Sequence, residues 1–160
     1  MTLRFAHSRD GLLIFAPDAL ATIQSFAQRT PDALEAGGLL FGRLSHDDRD
    51  VTIDRVTTPK PGDKPSRYGF LLESPLHARE GHQIWEETAG SCFHVGDWHT
   101  HAEPHPRPSA DDLASWREAM VRDFKPGHAA FFVIVGTMEI AVWEGVVAAR
   151  ELRKLVARLP

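Results

Sequence analysis

The stretch GDWHTHAEPHPRPSADD, from Gly96 to Asp112, passes through three kinds of local structure. Its beginning continues the run Ser91 to His99, which reads as a strand. Proline then recurs at 104, 106 and 108, so Glu103 to Pro108 reads as a loop. Ser109 opens a helix that runs to about Val121. At the strand end His99 and His101 stand two positions apart and therefore share a face. Two imidazoles on one face can grip a single cation, and neutral imidazole suits zinc. A catalytic site of this kind needs a third protein ligand and an open fourth position. Asp112, in the first turn of the helix, can supply that ligand once the loop folds the chain back. Two histidines and one carboxylate form the open ligand set of hydrolytic zinc enzymes, in which bound water is acidified towards a pKa of ~7.

Simpler readings stand beside these. His-Thr-His also fits an ordinary strand end, and Ser109 with Asp112 outlines a helix capping box. The cap and the metal reading are compatible, since a cap fixes where Asp112 points. His105, in the proline-flanked loop, is expected to be exposed, and His94, at odd parity to His99, is expected on the opposite face. His7, His46, His77, His82 and His128 are scattered and receive no role.

Upstream, Leu12 to Phe15 reads as a first strand and Asp18 to Gln28 as a helix with Leu20, Ile23 and Phe26 at helical spacing. Gly37 to Leu44 and Val51 to Thr57 read as paired strands across the polar turn Ser45 to Asp50. Pro59 to Ser66 is too rich in Pro and Gly for an element and is expected to be a mobile surface loop. A strand from Tyr68 to Leu72 and a helix from about Pro75 to Glu87 follow, with Leu76, Ile84 and Trp85 as its buried positions. Downstream, Ala130 to Val135 and Glu139 to Trp143 read as strands about the turn Gly136-Thr137, and Val147 to Leu159 as a terminal amphipathic helix. Strands interleaved with helices, but with hairpin-length connections, predict a mixed α/β domain rather than a doubly wound one.

The whole chain has 160 residues, 42% of them hydrophobic and 25% charged, with a net charge of −4. That balance supports one globular core and lacks the basic footprint of a nucleic-acid binder. The single cysteine, Cys92, fits a reducing compartment. The N-terminal segment carries Arg4, His7 and Asp10 without a long apolar run, and no stretch approaches the ~20 apolar residues of a membrane span. A soluble, cytoplasmic, single-domain protein is the expectation.

His99-Thr100-His101, seven residues, Ser109, two residues and Asp112 match the pattern HxHx7SxxD at every position. Upstream lies Glu35 in Glu35-Ala36-Gly37-Gly38-Leu39-Leu40-Phe41-Gly42. Together these resemble the signature of the JAMM (MPN-plus) metalloprotease family, and the element order is similar to that family's over nearly the whole chain. The resemblance implies one JAMM/MPN domain over residues 1–160, an α/β, cytidine-deaminase-like fold with a mixed, curved β-sheet flanked by helices. It implies Zn2+ as cofactor, held by His99, His101 and Asp112, with Glu35 as general base and Ser109 stabilising the developing oxyanion. A carboxylate so placed takes a proton from water and delivers it to the leaving amine. No covalent intermediate is implied, so Cys92 is not required.

Gly96 to His101, and the helix start Ser109 to Leu113 with Trp116, look most like bacterial JAMM peptidases encoded beside ubiquitin-type activating and conjugating enzymes, in anti-phage CBASS operons and the related Bil operons. This implies a deubiquitinase-like isopeptidase or peptidase acting at the C-terminus of a ubiquitin-like modifier, or of a protein conjugated by the same chemistry. Its functional partners would be those activating and conjugating enzymes; neither nucleic acid nor membrane is implied. Ala102 departs from the proline many members carry after the second histidine, which affects the loop course and not a ligand. Modifier recognition is expected on the core domain and on the loops Pro59 to Ser66 and Glu103 to Pro108. Two other classes remain open at this point: a small-substrate hydrolase acting on a sulfur-carrier protein, and a metal-free scaffold.

Overall fold

The computed structural model describes residues 2–66 and 69–159. Strand β1 (Arg4–His7) and strand β2 (Gly11–Phe15) form a hairpin whose turn holds Asp10 at φ 58°. β2 is the expected first strand; β1 escaped the sequence reading because four residues give too short an alternation to register. Helix α1 (Pro17–Ser25) starts on proline, preset for a helix's first turn, and buries Ala19 and Ile23. Strands β3 (Gly37–Leu44) and β4 (Val51–Val56) are the expected antiparallel pair. They are followed by β5 (Lys64–Pro65), β6 (Phe70–Leu71), helix α2 (Leu76–Glu87), β7 (Phe93–Thr100) and helix α3 (Ala110–Asp123). Strands β8 (Ala129–Val135) and β9 (Ile140–Val146), a 3-10 turn at Val147–Ala149, β10 (Glu151–Lys154) and β11 (Val156–Arg158) complete the order.

Nine strands make one sheet in the order β10-β9-β8-β7-β3-β4-β2-β1-β11. β2 with β4 and β7 with β8 are parallel pairs and the rest antiparallel, so the sheet is mixed. Only Leu155 separates β10 from β11, yet these pair with β9 and β1 at opposite ends of the sheet. The sheet therefore curls until both its edges meet one tail, which is the curved, mixed α/β architecture expected. Along β8, Phe131, Val133 and Val135 point into the core beneath α1, while Ala130, Phe132 and Ile134 pack under α3 with Trp116 and Trp143. Both faces of the strand are covered, which explains its unbroken apolar run.

The expected terminal helix over Val147 to Leu159 is corrected. Arg150 adopts φ 54°, which ends the short helical turn, and the remainder pairs with two sheet edges. Unsatisfied N–H and C=O groups on those edges outweigh local helix propensity. Of the expected buried positions Ile84 is buried and Leu76 half-buried, whereas Trp85 is 51% exposed; α2 also buries His77 and Gly81. The Tyr68 end of the expected strand lies outside the described residues.

Pro59 to Ser66 is also corrected, because it forms the first arm of a fastened hairpin. The carboxylate of Asp63 accepts N–H bonds from Lys60 at 2.7 Å, Glu73 at 3.0 Å and Ser74 at 2.9 Å, pinning both ends of the segment. Asp63 also lies 2.6 Å from His77 Nε2, and both side chains are 1% exposed. His77 Nδ1 meets Thr57 Oγ1 at 2.6 Å, and that same oxygen accepts the N–H of Leu39 in β3. Thr57 Oγ1 therefore gives its proton to Nδ1, and Nε2–H donates to Asp63. Those bonds hold the Asp63 carboxyl below the ordinary range although burial works against its charge. Asp63→Ala strips the acceptor from four donors, among them the ring N–H of buried His77. We expect a loss of about 1–3 kcal/mol in urea unfolding and accelerated amide exchange across residues 60–66 and 69–74. Protection there as strong as in the wild type refutes the anchoring role.

Candidate metal centre

β7 carries both histidines, and its neighbours fix their heading. His99 pairs with Gly37 on β3 and with Ile134 on β8, so its ring projects on the α3 side. The strand's regular pairing ends at Thr100, but His101 N–H still donates to Val135 O at 3.0 Å, which keeps the second imidazole beside the first. Between them Thr100 points the other way. Its hydroxyl donates to Gln28 Oε1 and accepts the N–H of Ala36, each at 2.9 Å, and its own N–H donates to Ala36 O at 2.9 Å. The segment carrying Glu35 is thus tied to the strand carrying the histidines. Gly38 permits the approach on the far side: a Cβ there would lie 2.1 Å from Thr57 O.

Asp112 arrives from α3. Ser109 is the N-cap of that helix and makes the full capping box: its Oγ accepts Asp112 N–H at 3.0 Å, and its own N–H donates to Asp112 Oδ2 at 2.8 Å. One turn on, Trp116 stacks on Phe132 with ring centroids 5.1 Å apart and leans on Trp143 at 5.4 Å and His99 at 6.1 Å. The cap orients Asp112 and the tryptophan seats its helix.

Three of the expected residues therefore converge. His99 Nε2 lies 3.1 Å from His101 Nε2 and 3.3 Å from Asp112 Oδ1, and His101 Nε2 lies 3.1 Å from Asp112 Oδ2. Donors bound tetrahedrally at about 2.0–2.1 Å sit roughly 3.3 Å apart, so these separations suit one small cation and leave a fourth position open. The donor set, two imidazoles and a carboxylate, is also one that borderline-soft divalent metals accept. Glu35 Oε1 stands 3.9 Å from His101 Nε2, beside the cluster rather than within it. Ser109 is exposed at the rim and His105 is exposed, the latter as expected.

Charge is balanced tightly here. Burial disfavours ionised Asp112, but hydrogen bonds from His101 and His99 hold its carboxyl well below the usual range. Burial opposes a charged His101, yet Asp112, Glu35 and Glu103 together raise its pKa. Glu35, 7% exposed, is pushed up to about 7 by burial, with His101 opposing and Asp112 and Glu103 adding to the rise.

A groove of about 420 Å³ opens beside the cluster, lined by Phe70 and Leu72 of the hairpin segment, His94, Asp97 and His99 of β7, and Trp116 of α3. His94 on this wall corrects the expectation that it faces away. Leu40 pairs with Gly96 but Phe41 pairs with His94, so Val95 is an extra residue whose bulge reverses the parity. Gly96 marks the crowded point, since a Cβ there would lie 1.7 Å from Phe131 O. Asp97 was missed in the sequence altogether; burial, then Asp112 and Asp123, push its carboxyl up to about 7 against the pull of Arg122. Gln28 was missed as well, being a single polar residue at a helix end with no motif around it.

With this geometry in hand, residues 17–150 match the family described as prokaryotic homologs of the JAB domain. The chain belongs to the JAB-domain family. Among its relatives are three proteins named CD-NTase/cGAS isopeptidase. The one from Pseudomonas aeruginosa is 36% identical over 129 residues, 78% of this chain and 77% of that one. That from Escherichia coli is 25% identical over 159 residues, 98% of this chain and 96% of the relative. That from Vibrio cholerae is 28% identical over 145 residues, 89% of this chain and 86% of the relative. A solution structure of a Desulfitobacterium hafniense protein, 22% identical, shares the fold with TM-score 0.59 over 88% of this chain and 87% of its own. The cluster lies inside the matched JAB segment. No described helix is long and apolar enough to cross a membrane.

The raised Glu35 has a measurable sign. Its folded pKa of about 7 exceeds the ordinary 4.5, so its protonated form favours folding below about 4.5 and that contribution is lost as pH rises through about 7. In metal-free protein Glu35→Gln should raise Tm at pH 8, and the gain should fade on approaching pH ~4.5. Equal Tm differences at both pH values contradict the raised carboxyl.

Proposed function

We propose that this chain is a zinc-dependent isopeptidase that releases a protein conjugated through its C-terminus to an amine. The substrate class is a ubiquitin-like modifier, or a nucleotidyltransferase of the kind named in its relatives, joined by ubiquitin-type activating and conjugating enzymes. The observation carrying this reading is the convergence of His99, His101 and Asp112 with Glu35 alongside. The isopeptidase names of three relatives support the substrate class. The resemblance to bacterial peptidases of CBASS and Bil operons supports a role in anti-phage defence, and in that setting a cytoplasmic one.

His99, His101 and Asp112 would hold the zinc, which when bound would supply Lewis acidity towards the scissile carbonyl and acidify the attacking water. Glu35 takes the proton from that water as its oxygen bonds to the carbonyl carbon, and returns it to the amine nitrogen when the C–N bond breaks. A carboxyl with pKa near neutrality suits both halves of that exchange. Ser109 accepts Asp112 N–H through its lone pair, leaving its hydroxyl proton to donate to the developing oxyanion. The products are a free C-terminal carboxylate and a free amine. The groove bounded by the hairpin and α3 is the route for the extended tail that precedes the scissile bond.

A conjugate assembled with the cognate activating and conjugating enzymes, and a linear modifier–reporter fusion, provide the test. Wild-type protein should cut at the modifier's C-terminus, lose activity to a chelator and regain it with zinc. Glu35→Ala should lower the rate by about 10²–10⁴-fold while still binding zinc. Zinc-loaded wild type that leaves both substrates intact sinks the proposal.

A further inference from the structure

His101 turns Nε2 towards the cluster, 3.1 Å from His99 Nε2 and 3.1 Å from Asp112 Oδ2. A nitrogen that faces a metal carries no proton, so the neutral ring must keep its proton on Nδ1. That Nδ1 is buried without a hydrogen-bond partner, in a residue only 8% exposed. Buried ring N–H groups are normally paired, and in metal-binding histidines the pairing fixes the tautomer and raises the ligand's basicity. The carboxylate oxygen nearest this nitrogen is Oε1 of Glu103, 3.8 Å away and about 1 Å beyond bonding distance.

Glu103 is not a freely swinging surface acid. Its Oε2 accepts the N–H of Arg107 at 3.1 Å, which holds the carboxylate across the loop. Its carbonyl accepts Thr137 N–H at 2.8 Å, and the next carbonyl, of Pro104, accepts Met138 and Glu139 N–H at 3.3 and 3.2 Å. The β8–β9 turn thus clamps the loop, and Gly136 makes room, since a Cβ there would lie 2.6 Å from Glu103 O. The backbone presents one carboxylate oxygen to the orphaned nitrogen and occupies the other.

We infer that Glu103 is the positioning residue of the metal centre: with the ion bound, its Oε1 closes the remaining gap to accept the Nδ1–H of His101 and aims Nε2 at the ion. The inference rests on the metal-centre reading above but not on the identity of the substrate. Residue 103 falls in the unspecified seven-residue spacer of the HxHx7SxxD pattern and is not one of the three ligands.

Zinc affinity by competition with a chromophoric chelator tests it, with wild type, Glu103→Ala and Glu103→Gln compared. Loss of the carboxylate should weaken zinc binding about tenfold to a hundredfold, and Gln, which retains an acceptor oxygen, should recover most of it. In zinc-loaded protein labelled with ¹⁵N-histidine, the Nδ1 proton of His101 should exchange slowly in the wild type and Glu103→Gln, and be lost in Glu103→Ala. Metal-free Tm should change little in either variant, because the Glu103 side chain is 50% exposed and its bond to Arg107 N–H lies at the surface. Unchanged zinc affinity and an unchanged Nδ1 proton in Glu103→Ala overturn the inference, and wild type that takes up no zinc overturns the metal centre with it. Because no substrate enters the measurement, failure to cut a conjugate is read separately.

Discussion

Ala36 and Thr100 exchange two hydrogen bonds, Thr100 N–H to Ala36 O and Ala36 N–H to Thr100 Oγ1, each at 2.9 Å. One partner follows Glu35 and the other separates His99 from His101. The acid and the histidines lie far apart in sequence, and this buried exchange sets the distance between them. Gln28 secures the threonine from the α1 side, and Ser66 O accepts Glu35 N–H at 2.9 Å from the hairpin side. Without those fastenings Glu35 would be an acid at a loop end, free to relax into water.

The electrostatics follow from that enclosure. Asp112 is kept ionised by two imidazoles, whereas Glu35 and Asp97 are raised towards neutrality by burial and by the charge of Asp112. Acids and imidazoles in one low-dielectric pocket cannot all carry charge cheaply. A divalent cation among the three donors would relieve that conflict by adding positive charge where carboxylates crowd. Preorganisation of this kind costs stability in the metal-free protein, a cost that binding of an ion would offset.

Much of this centre was readable from the chain. His99, Ser109 and Asp112 fall at fixed spacing because a strand, a loop and a capped helix are consecutive, so local geometry carries the signal. Glu35 was legible only through its resemblance to a family pattern, since it precedes β3 while His101 follows β7, and only the folded sheet brings the two together. The misreadings share one physical origin. His94 was assigned by strand parity, which a single extra residue at Val95 reverses, and Val147 to Leu159 was assigned by helical periodicity, which two open sheet edges override. Asp63, His77 and Thr57 showed no pattern because their network joins a loop, a helix and a strand end. Glu103 gave no signal either, since what marks it is the unpaired nitrogen of a neighbour.

The tail that closes the sheet sets the order in which this protein can become whole. β10 and β11 follow every other element in sequence, so during synthesis β9 and β1 both wait with bare edges until residues 151–158 leave the ribosome. For that interval the nascent chain offers two templates for unwanted strand pairing at once. The histidine-bearing strand, fourth from one edge of the finished sheet and sixth from the other, is by then already flanked by β3 and β8. The donor cluster can therefore be assembled before the molecule is sealed.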